Sequence, residues 1–182
     1  MLVIDDTEIL TLITNGTDPN KGYRLLVSKY KEKLYYHIRR MVGSHDDADD
    51  ILQNTFLKVI RNIDSFHAHS SLYTWLYRIA TNETLNFIKS SKNKISESLD
   101  QTQVLRMGSI DLPTDGDIII HKLNQAINLL PEKQKLVFHL RYYDEMSYQD
   151  IADVTATSVG ALKASFHHAV KKIEEFIKNN HE

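Results

Sequence analysis

SYQDIADVTATSVGALK, the stretch from Ser147 to Lys163, contains the signals for two helices separated by a tight corner. Ser147 and Asp150 form a capping box that opens a short helix. Residues 155–157 form the corner, and Ser158 is placed to cap a longer helix. Such corners often hold a glycine in the left-handed conformation. We therefore expect Ala156 to adopt it at a cost of roughly 1–2 kcal/mol.

The longer helix has one apolar face and one polar, basic face. Its apolar residues recur at helical spacing: Val159, Leu162, Phe166, Ala169 and Ile173. A short helix, a corner and a longer helix with a basic outer face are what a helix-turn-helix needs to read duplex DNA. The candidate DNA-binding residues are Ser158, Lys163, Ser165, His167, His168 and Lys171, with Arg141 on the preceding helix placed to meet a phosphate. A plain helical hairpin with terminal lysines is the alternative.

The composition favours an all-helical intracellular protein. The 182 residues include only 6 Gly and 3 Pro, so turn signals are sparse. Cys is absent from the sequence, which excludes disulfides and zinc ribbons. Because the net charge is −2, positive charge for DNA binding must be concentrated locally. Met1 to Asp6 lack a basic stretch and a long apolar run, so we expect a cytoplasmic protein without signal peptide or membrane insertion.

The first half of the chain is predicted to form a bundle of three helices. Periodic apolar residues predict a helix from Asn20 to Met41, which Gly43 is placed to end. Ser44 and Asp47 then open a second helix. Its predicted buried face is Ala48, Leu52, Thr55, Phe56, Val59 and Ile63. The third helix, from about Ser71 to Ile88, is predicted to bury Leu72, Trp75, Leu76 and Ile79.

Between Ser90 and Asp117 no apolar period is sustained, which indicates a boundary between two domains. We expect an all-α fold of two small helical domains, residues 1–90 and 117–182, joined by a flexible linker of residues 91–116. Within the linker, Gln101–Met107 can form a short helix. The second domain begins with the apolar stripe Ile119, Leu123, Ile127 and Leu130, and Pro131 opens its next helix.

Two faces of the first domain lie outside its predicted core. On the second helix this face holds Asp50, Gln53, Asn54, Leu57 and Arg61. A solvated face is the simpler explanation for the charges, but solvation does not explain Leu57. On the third helix and the loop before it, the outward residues are His67, His69, Ser70, Tyr73, Thr74, Tyr77, Arg78, Thr81 and Asn82. Rings and cations on one surface suit unstacked bases, although either tyrosine alone would equally complete the core.

The nine histidines do not form a recognisable metal site. The pairs His67/His69 and His167/His168 lack the i, i+4 spacing of helical ligands, and no acidic ligand is spaced with them. The sequence also has no nucleophile elbow, Gly-rich phosphate loop or paired catalytic carboxylates. We therefore expect no metal, no cofactor and no enzymatic activity, and a helical metal-dependent hydrolase has no ligand set to support it.

Together these segments resemble the extracytoplasmic-function group of bacterial sigma factors, which belongs to the sigma-70-type family. In the first domain the resemblance rests on Asp47–Asn62 and Ser70–Asn82. In the second domain it rests on Leu130-Pro131, Leu140-Arg141, Ser147–Ala152 and Ser158–Lys163. The order of these motifs, with a variable linker between them, makes the signature specific.

The resemblance implies a protein that joins core RNA polymerase and directs it to a subset of promoters. The first domain would bind the polymerase clamp through Asp50, Gln53, Asn54 and Leu57. It would open the minus-ten element through the surface of the third helix, where the preceding loop captures a flipped base. The second domain would bind the minus-thirty-five element and the polymerase flap. Many relatives also have an inhibitory anti-sigma partner.

The sequence departs from the family pattern at a few positions. Asn54 stands where members usually have Glu, and residues 155–157 replace an apolar-Gly-apolar corner. Ser165, His168 and Val170 occupy positions that often hold Arg, so we expect weak upstream DNA contact that depends on polymerase. The rival hypothesis is a stand-alone helix-turn-helix regulator that binds duplex DNA as a homodimer, which would leave the first domain without a role.

Overall fold

The structure is a computed structural model that describes residues 5–16, 18–66, 70–97 and 115–180. Every regular element within these ranges is helical, which confirms the expected all-α class. The chain divides into two compact units, residues 1–107 and 108–182.

The described residues of the first unit form four α-helices and one short 3₁₀ turn. The helices are α1 (Asp6–Thr14), α2 (Pro19–Val42), α3 (His45–Asn62) and α4 (Leu72–Glu97), and the 3₁₀ turn is Ile63–Ser65. The second unit contains α5 (Asp115–Asn128), α6 (Glu132–Phe138), a π-helical segment (His139–Tyr143), α7 (Tyr148–Thr155) and α8 (Val159–Asn179).

The boundary between α2 and α3 follows the sequence signals. Gly43 has a φ of 78°, and its N–H donates to the carbonyl of Arg39 at 3.0 Å. A left-handed residue with this bond is the usual end of a helix, and glycine adopts it without steric penalty. The hydroxyl of Ser44 accepts from the backbone N–H of Asp47 at 3.4 Å, which caps α3. Both predictions are confirmed.

Helix α1 is not predicted by the sequence pattern, and it packs directly on α2. The two backbones come so close that a Cβ at Gly22 would lie 2.6 Å from Cγ1 of Ile13. The Asp6 carboxylate accepts from the Tyr30 hydroxyl at 2.6 Å and from the Lys29 ammonium at 2.7 Å. Burial and the bond to Asp6 raise the pKa of the Tyr30 hydroxyl, so it stays a donor.

Helix α4 is longer than predicted and continues to Glu97. The expected linker start at residue 91 therefore falls inside a helix, and that boundary was wrong. The apolar residues Leu85, Phe87 and Ile88 are half-buried, so packing supports the helix up to the predicted boundary. The short helix considered for Gln101–Met107 lies outside the described residues.

The core of the second unit forms where α5, α6 and α8 pack together. Its buried members are Ala126, Ile127, Leu130, Phe138, Ala169 and Ile173, and Leu123 packs against them. Ile119 was expected in the same stripe, but it is 68% exposed. The Lys122 ammonium donates to the carbonyl of Asn180 at 2.6 Å, just beyond the end of α8. Ile119 lies one turn before Lys122, where α8 no longer offers a surface to pack on.

Candidate nucleic-acid interface

The corner between α7 and α8 has the geometry of a helix-turn-helix. Ala156 has φ 50° and ψ 41°, the left-handed conformation expected from its position. The Ser147 hydroxyl accepts from the N–H of Asp150 at 3.1 Å, and the Ser158 hydroxyl accepts from the N–H of Ala161 at 3.4 Å. Both predicted caps and the predicted corner are therefore confirmed.

Helix α8 buries one narrow stripe and exposes a polar, basic face. Leu162, Ala169 and Ile173 are its buried residues, as expected from the periodicity. The predicted DNA-binding residues that lie exposed are Ser158, Lys163, His167, His168 and Lys171, whereas Ser165 is half-buried. Lys171 lies 3.9 Å from the exposed carboxylate of Glu175, so part of its charge is already balanced. Lys163 is the lysine in the N-terminal half of this face.

Arg141 lies in the π-helical segment that directly continues α6. It is half-buried, and its Nη1 donates to the carbonyl of Met146 at 2.8 Å. Its guanidinium also lies over the ring of Tyr148, 5.1 Å from the centroid. A phosphate contact was expected of this residue. That prediction stays untested, and the contacts in the structure link the π-helical segment to the start of α7.

Tyr148 lies beside the candidate DNA-binding residues, although its place in the sequence does not indicate this. The Lys163 ammonium lies 5.8 Å from the centroid of its ring, so one tyrosine contacts cations from two separate elements. The spacing gives only a weak signal for this arrangement, because the cations lie 7 residues before and 15 residues after the ring in the sequence. The fold brings them together.

The tyrosines of α4 do not lie on an outer surface. Tyr77 is only 1% exposed, so its predicted place on a DNA-facing surface was wrong. Its ring centroid lies 5.0 Å from that of His37 and 4.4 Å from that of Tyr73. Tyr73 is half-buried, and the Lys33 ammonium lies 5.8 Å from its ring centroid. Both rings turn towards α2.

Thr74 and Thr81 were also expected on the outer surface, and both are buried. Thr81 contacts the imidazole of His37 at 3.0 Å, and Trp75 is covered by Phe66 at a centroid distance of 5.4 Å. On the α3 side, Glu83 forms an ion pair with Lys58. The N-terminal half of α4 is therefore covered by α2, by α3 and by Phe66.

Arg78 and Asn82 do lie exposed on α4, as predicted. Arg78 lies five residues after Tyr73, which places it about 140° around the helix from that ring. The cation and the tyrosines therefore do not share a face, contrary to expectation. Ser70 is half-buried at the start of α4, and His67 and His69 lie outside the described residues.

Helix α3 presents the expected mixed face. Asp50, Gln53, Asn54 and Leu57 are all exposed, and Leu57 is 45% exposed. Ile60, one turn further on, is 42% exposed and was missed, although its position outside the buried stripe could have indicated it. Two neighbouring apolar side chains with a polar rim are typical of a protein-docking surface.

Among the described residues, no group of three or more histidine or acidic side chains is arranged to hold a metal ion. In the same part of the chain, no helix has the length and apolar character that crossing a membrane requires.

Two helical units, one of which presents a helix-turn-helix with a basic outer face, define a two-domain DNA-binding protein of the helix-turn-helix class. Residues 26–94 match the family model of sigma-70 region 2, and residues 120–173 match that of sigma-70 region 4.

Two relatives extend the likeness over most of the chain. The ECF RNA polymerase sigma-E factor of Haemophilus influenzae is 31% identical over 87% of this chain and 88% of its own length. The ECF RNA polymerase sigma factor SigW of Bacillus subtilis is 34% identical over 85% of this chain and 88% of its own length. The protein belongs to the extracytoplasmic-function sigma factors.

Solved structures show the same fold. The sigma factor RpoE from Bartonella quintana, in complex with the anti-sigma factor NepR, has a TM-score of 0.70 and 24% identity. That match covers 88% of this chain and 99% of the other. CnrH, in complex with the cytosolic domain of CnrY, has a TM-score of 0.70 and 17% identity, with 96% and 99% of the two chains covered.

Proposed function

We propose that this protein binds core RNA polymerase and directs it to a subset of promoters, where it assists melting and the start of transcription. The observation that carries the proposal is the presence of sigma-70 regions 2 and 4, in that order, on two separate helical units. The proposal assigns the chain no reaction, metal or cofactor of its own. Its site of action is the cytoplasm, where polymerase and promoter DNA meet.

The polymerase clamp is proposed to dock on the exposed face of α3. Asp50, Gln53 and Asn54 supply polar contacts, and Leu57 with Ile60 supplies the apolar centre. Burying such a centre inside a polar rim is how protein interfaces gain most of their affinity. This assignment keeps all four predicted residues and adds Ile60.

The melted minus-ten element is proposed to meet the exposed face of α4. Arg78 and Asn82 are its charged and polar contacts, and Ser70 lies at the start of the same helix. His67 and His69 remain candidates in the loop that precedes it, and the half-buried Tyr73 remains one as well. Tyr77 is removed from the set, because a buried ring cannot stack on a base.

Upstream duplex DNA is proposed to meet α8. Lys163, His167 and His168 face outward over its middle turns, with Ser158 at its start and Lys171 further along. Where relatives often carry arginine, this helix has Ser165 and His168, so it makes fewer charge-assisted contacts. We therefore expect weak DNA binding by the chain alone and useful affinity only with polymerase.

An anti-sigma protein is a further proposed partner. The structure of RpoE, which has the same fold, was solved with the anti-sigma factor NepR, and CnrH was solved with the cytosolic domain of CnrY. We expect that partner to compete with polymerase for the exposed face of α3.

The test is transcription in vitro from genomic fragments with purified core polymerase, in the presence and absence of the chain. We expect discrete transcripts only when the chain is added, together with stoichiometric retention of polymerase on the immobilised chain. A homodimer that binds duplex DNA tightly, does not retain polymerase and initiates no transcript would contradict the proposal and support the stand-alone regulator.

A further inference from the structure

The half-buried Tyr148 connects the two helices of the helix-turn-helix. Tyr148 is the first residue of α7 and directly follows the Ser147 cap, whose hydroxyl accepts from the N–H of Asp150 at 3.1 Å. The other side of the ring meets Phe166 of α8 edge-to-face, with centroids 6.4 Å apart. The ring is thus fixed to both helices of the helix-turn-helix.

Two cations from different elements lie over this one ring. The Arg141 guanidinium is 5.1 Å from its centroid, and the Lys163 ammonium is 5.8 Å away. Both distances fall within about 6 Å, the range in which a ring quadrupole attracts a cation. The Arg141 side chain is also held by the bond from its Nη1 to the carbonyl of Met146, at 2.8 Å.

This arrangement suits DNA binding better than it suits stability alone. Arginine and lysine are long side chains that lose rotamer freedom when they bind a phosphate, which weakens binding. A cation already held over a ring has lost part of that freedom before DNA arrives. The guanidinium has five N–H donors, and the bond to Met146 uses only Nη1, so donors remain for a phosphate.

We propose that Tyr148 is a positioning residue that holds Arg141 and Lys163 ready to contact backbone phosphates of upstream duplex DNA. This role rests on the proposed function, because it deepens the assignment of α7 and α8 to the upstream element. The ring itself need not touch DNA. Its effect passes through the two cations, because the attraction of the ring limits the rotamers that each side chain samples before DNA binds.

The test uses the full chain assembled with core polymerase, bound to the genomic fragment from which the wild-type holoenzyme transcribes most strongly. We expect Tyr148→Leu to weaken binding about tenfold, because it removes two cation–ring contacts. Tyr148→Phe keeps the ring face and should stay within about twofold of wild type. Tyr142→Leu, which alters an exposed tyrosine stacked on Phe138, is the matched control and should leave affinity unchanged.

Combining substitutions distinguishes a positioning role of Tyr148 from a packing role. With Arg141→Gln and Lys163→Gln already present, Tyr148→Leu should cause little further loss, because no cation remains to be held. The Leu variant alone should also show a shallower dependence of log affinity on log salt concentration, since fewer phosphates are neutralised. Tyr148→Met provides a second variant without a ring if the Leu variant melts early.

Several results would overturn the role. A Phe variant as weak as the Leu variant would assign the effect to the hydroxyl. If Tyr148→Leu weakens binding equally when Arg141→Gln and Lys163→Gln are present, the effect comes from packing. If Tyr148→Leu binds as tightly as wild type, Tyr148 has no positioning role. Transcription by the wild-type holoenzyme is measured first. If no fragment is transcribed, the proposed function is wrong, and so is the role of Tyr148 that depends on it.

Discussion

Helices α4 and α8 are both long, amphipathic and assigned to DNA, yet they are packed in different ways. On α8 the buried residues Leu162, Ala169 and Ile173 form a single stripe. The half-buried Phe166 and Val170 pack beside that stripe, so the opposite face is available to a partner. On α4 the four consecutive residues 74–77 are all buried, which leaves no free face at that turn. The free surface of α4 begins only with Arg78. A DNA-facing side can therefore be inferred from periodicity when a helix packs on one side, but not when it is surrounded.

The largest expected effect tests the burial of Tyr77. Tyr77→Ala should lower the free energy of unfolding by about 3 kcal/mol, because it leaves a cavity beside His37. The half-buried Tyr73 is the matched control, and Tyr73→Ala should cost about 1 kcal/mol. Denaturant unfolding of both variants measures the difference. If both variants lose the same small amount of unfolding free energy, Tyr77 is not buried, and α4 does not differ from α8 in this respect.

The docking face of α3 gives the next effect. Gln53→Ala combined with Leu57→Ala should weaken polymerase binding by about 2 kcal/mol, and Ile60→Ala should add to the loss. Helical content by circular dichroism should not change, because all three side chains are exposed. Competition against wild type for core polymerase is the measurement. Unchanged affinity would refute the clamp assignment.

Arg78 tests what the free part of α4 does. Arg78→Ala should reduce open-complex formation on a duplex promoter about tenfold, with stability changed by less than about 0.5 kcal/mol. A template that is already melted should restore much of the loss, since its bases are unpaired in advance. Equal defects on both templates would exclude a melting role.

The corner before α8 gives the smallest effect. Ala156→Gly should raise the free energy of unfolding by about 1 kcal/mol, because glycine adopts the left-handed conformation without penalty. The control is Ala164→Gly, an exposed position inside α8, which should lower it by about 1 kcal/mol. If both substitutions destabilise the protein alike, Ala156 is not strained.

The sequence was sufficient to predict local features of the fold. Gly43, Ser44, Ser147 and Ser158 each act within one helical turn, so their roles depend on neighbours in the sequence. The apolar stripe of α8 was predicted for the same reason.

Features that depend on tertiary packing were not predicted. Helix α1 is short and is stabilised by its contacts with α2 at Gly22 and Tyr30. The exposure of Ile119 depends on where α8 ends, and the role of Tyr148 depends on cations that are distant in the sequence. Periodicity alone contains none of this information.

We expect the two units to contact promoter DNA at two separate places, and to do so as part of a polymerase complex. The most direct measurement is a nuclease footprint with permanganate probing of unpaired thymines on a linear promoter fragment. We expect two separated protections only when chain and core polymerase are both present, with reactive thymines confined to the downstream one. A single symmetric protection by the chain alone, without reactive thymines, would contradict the account.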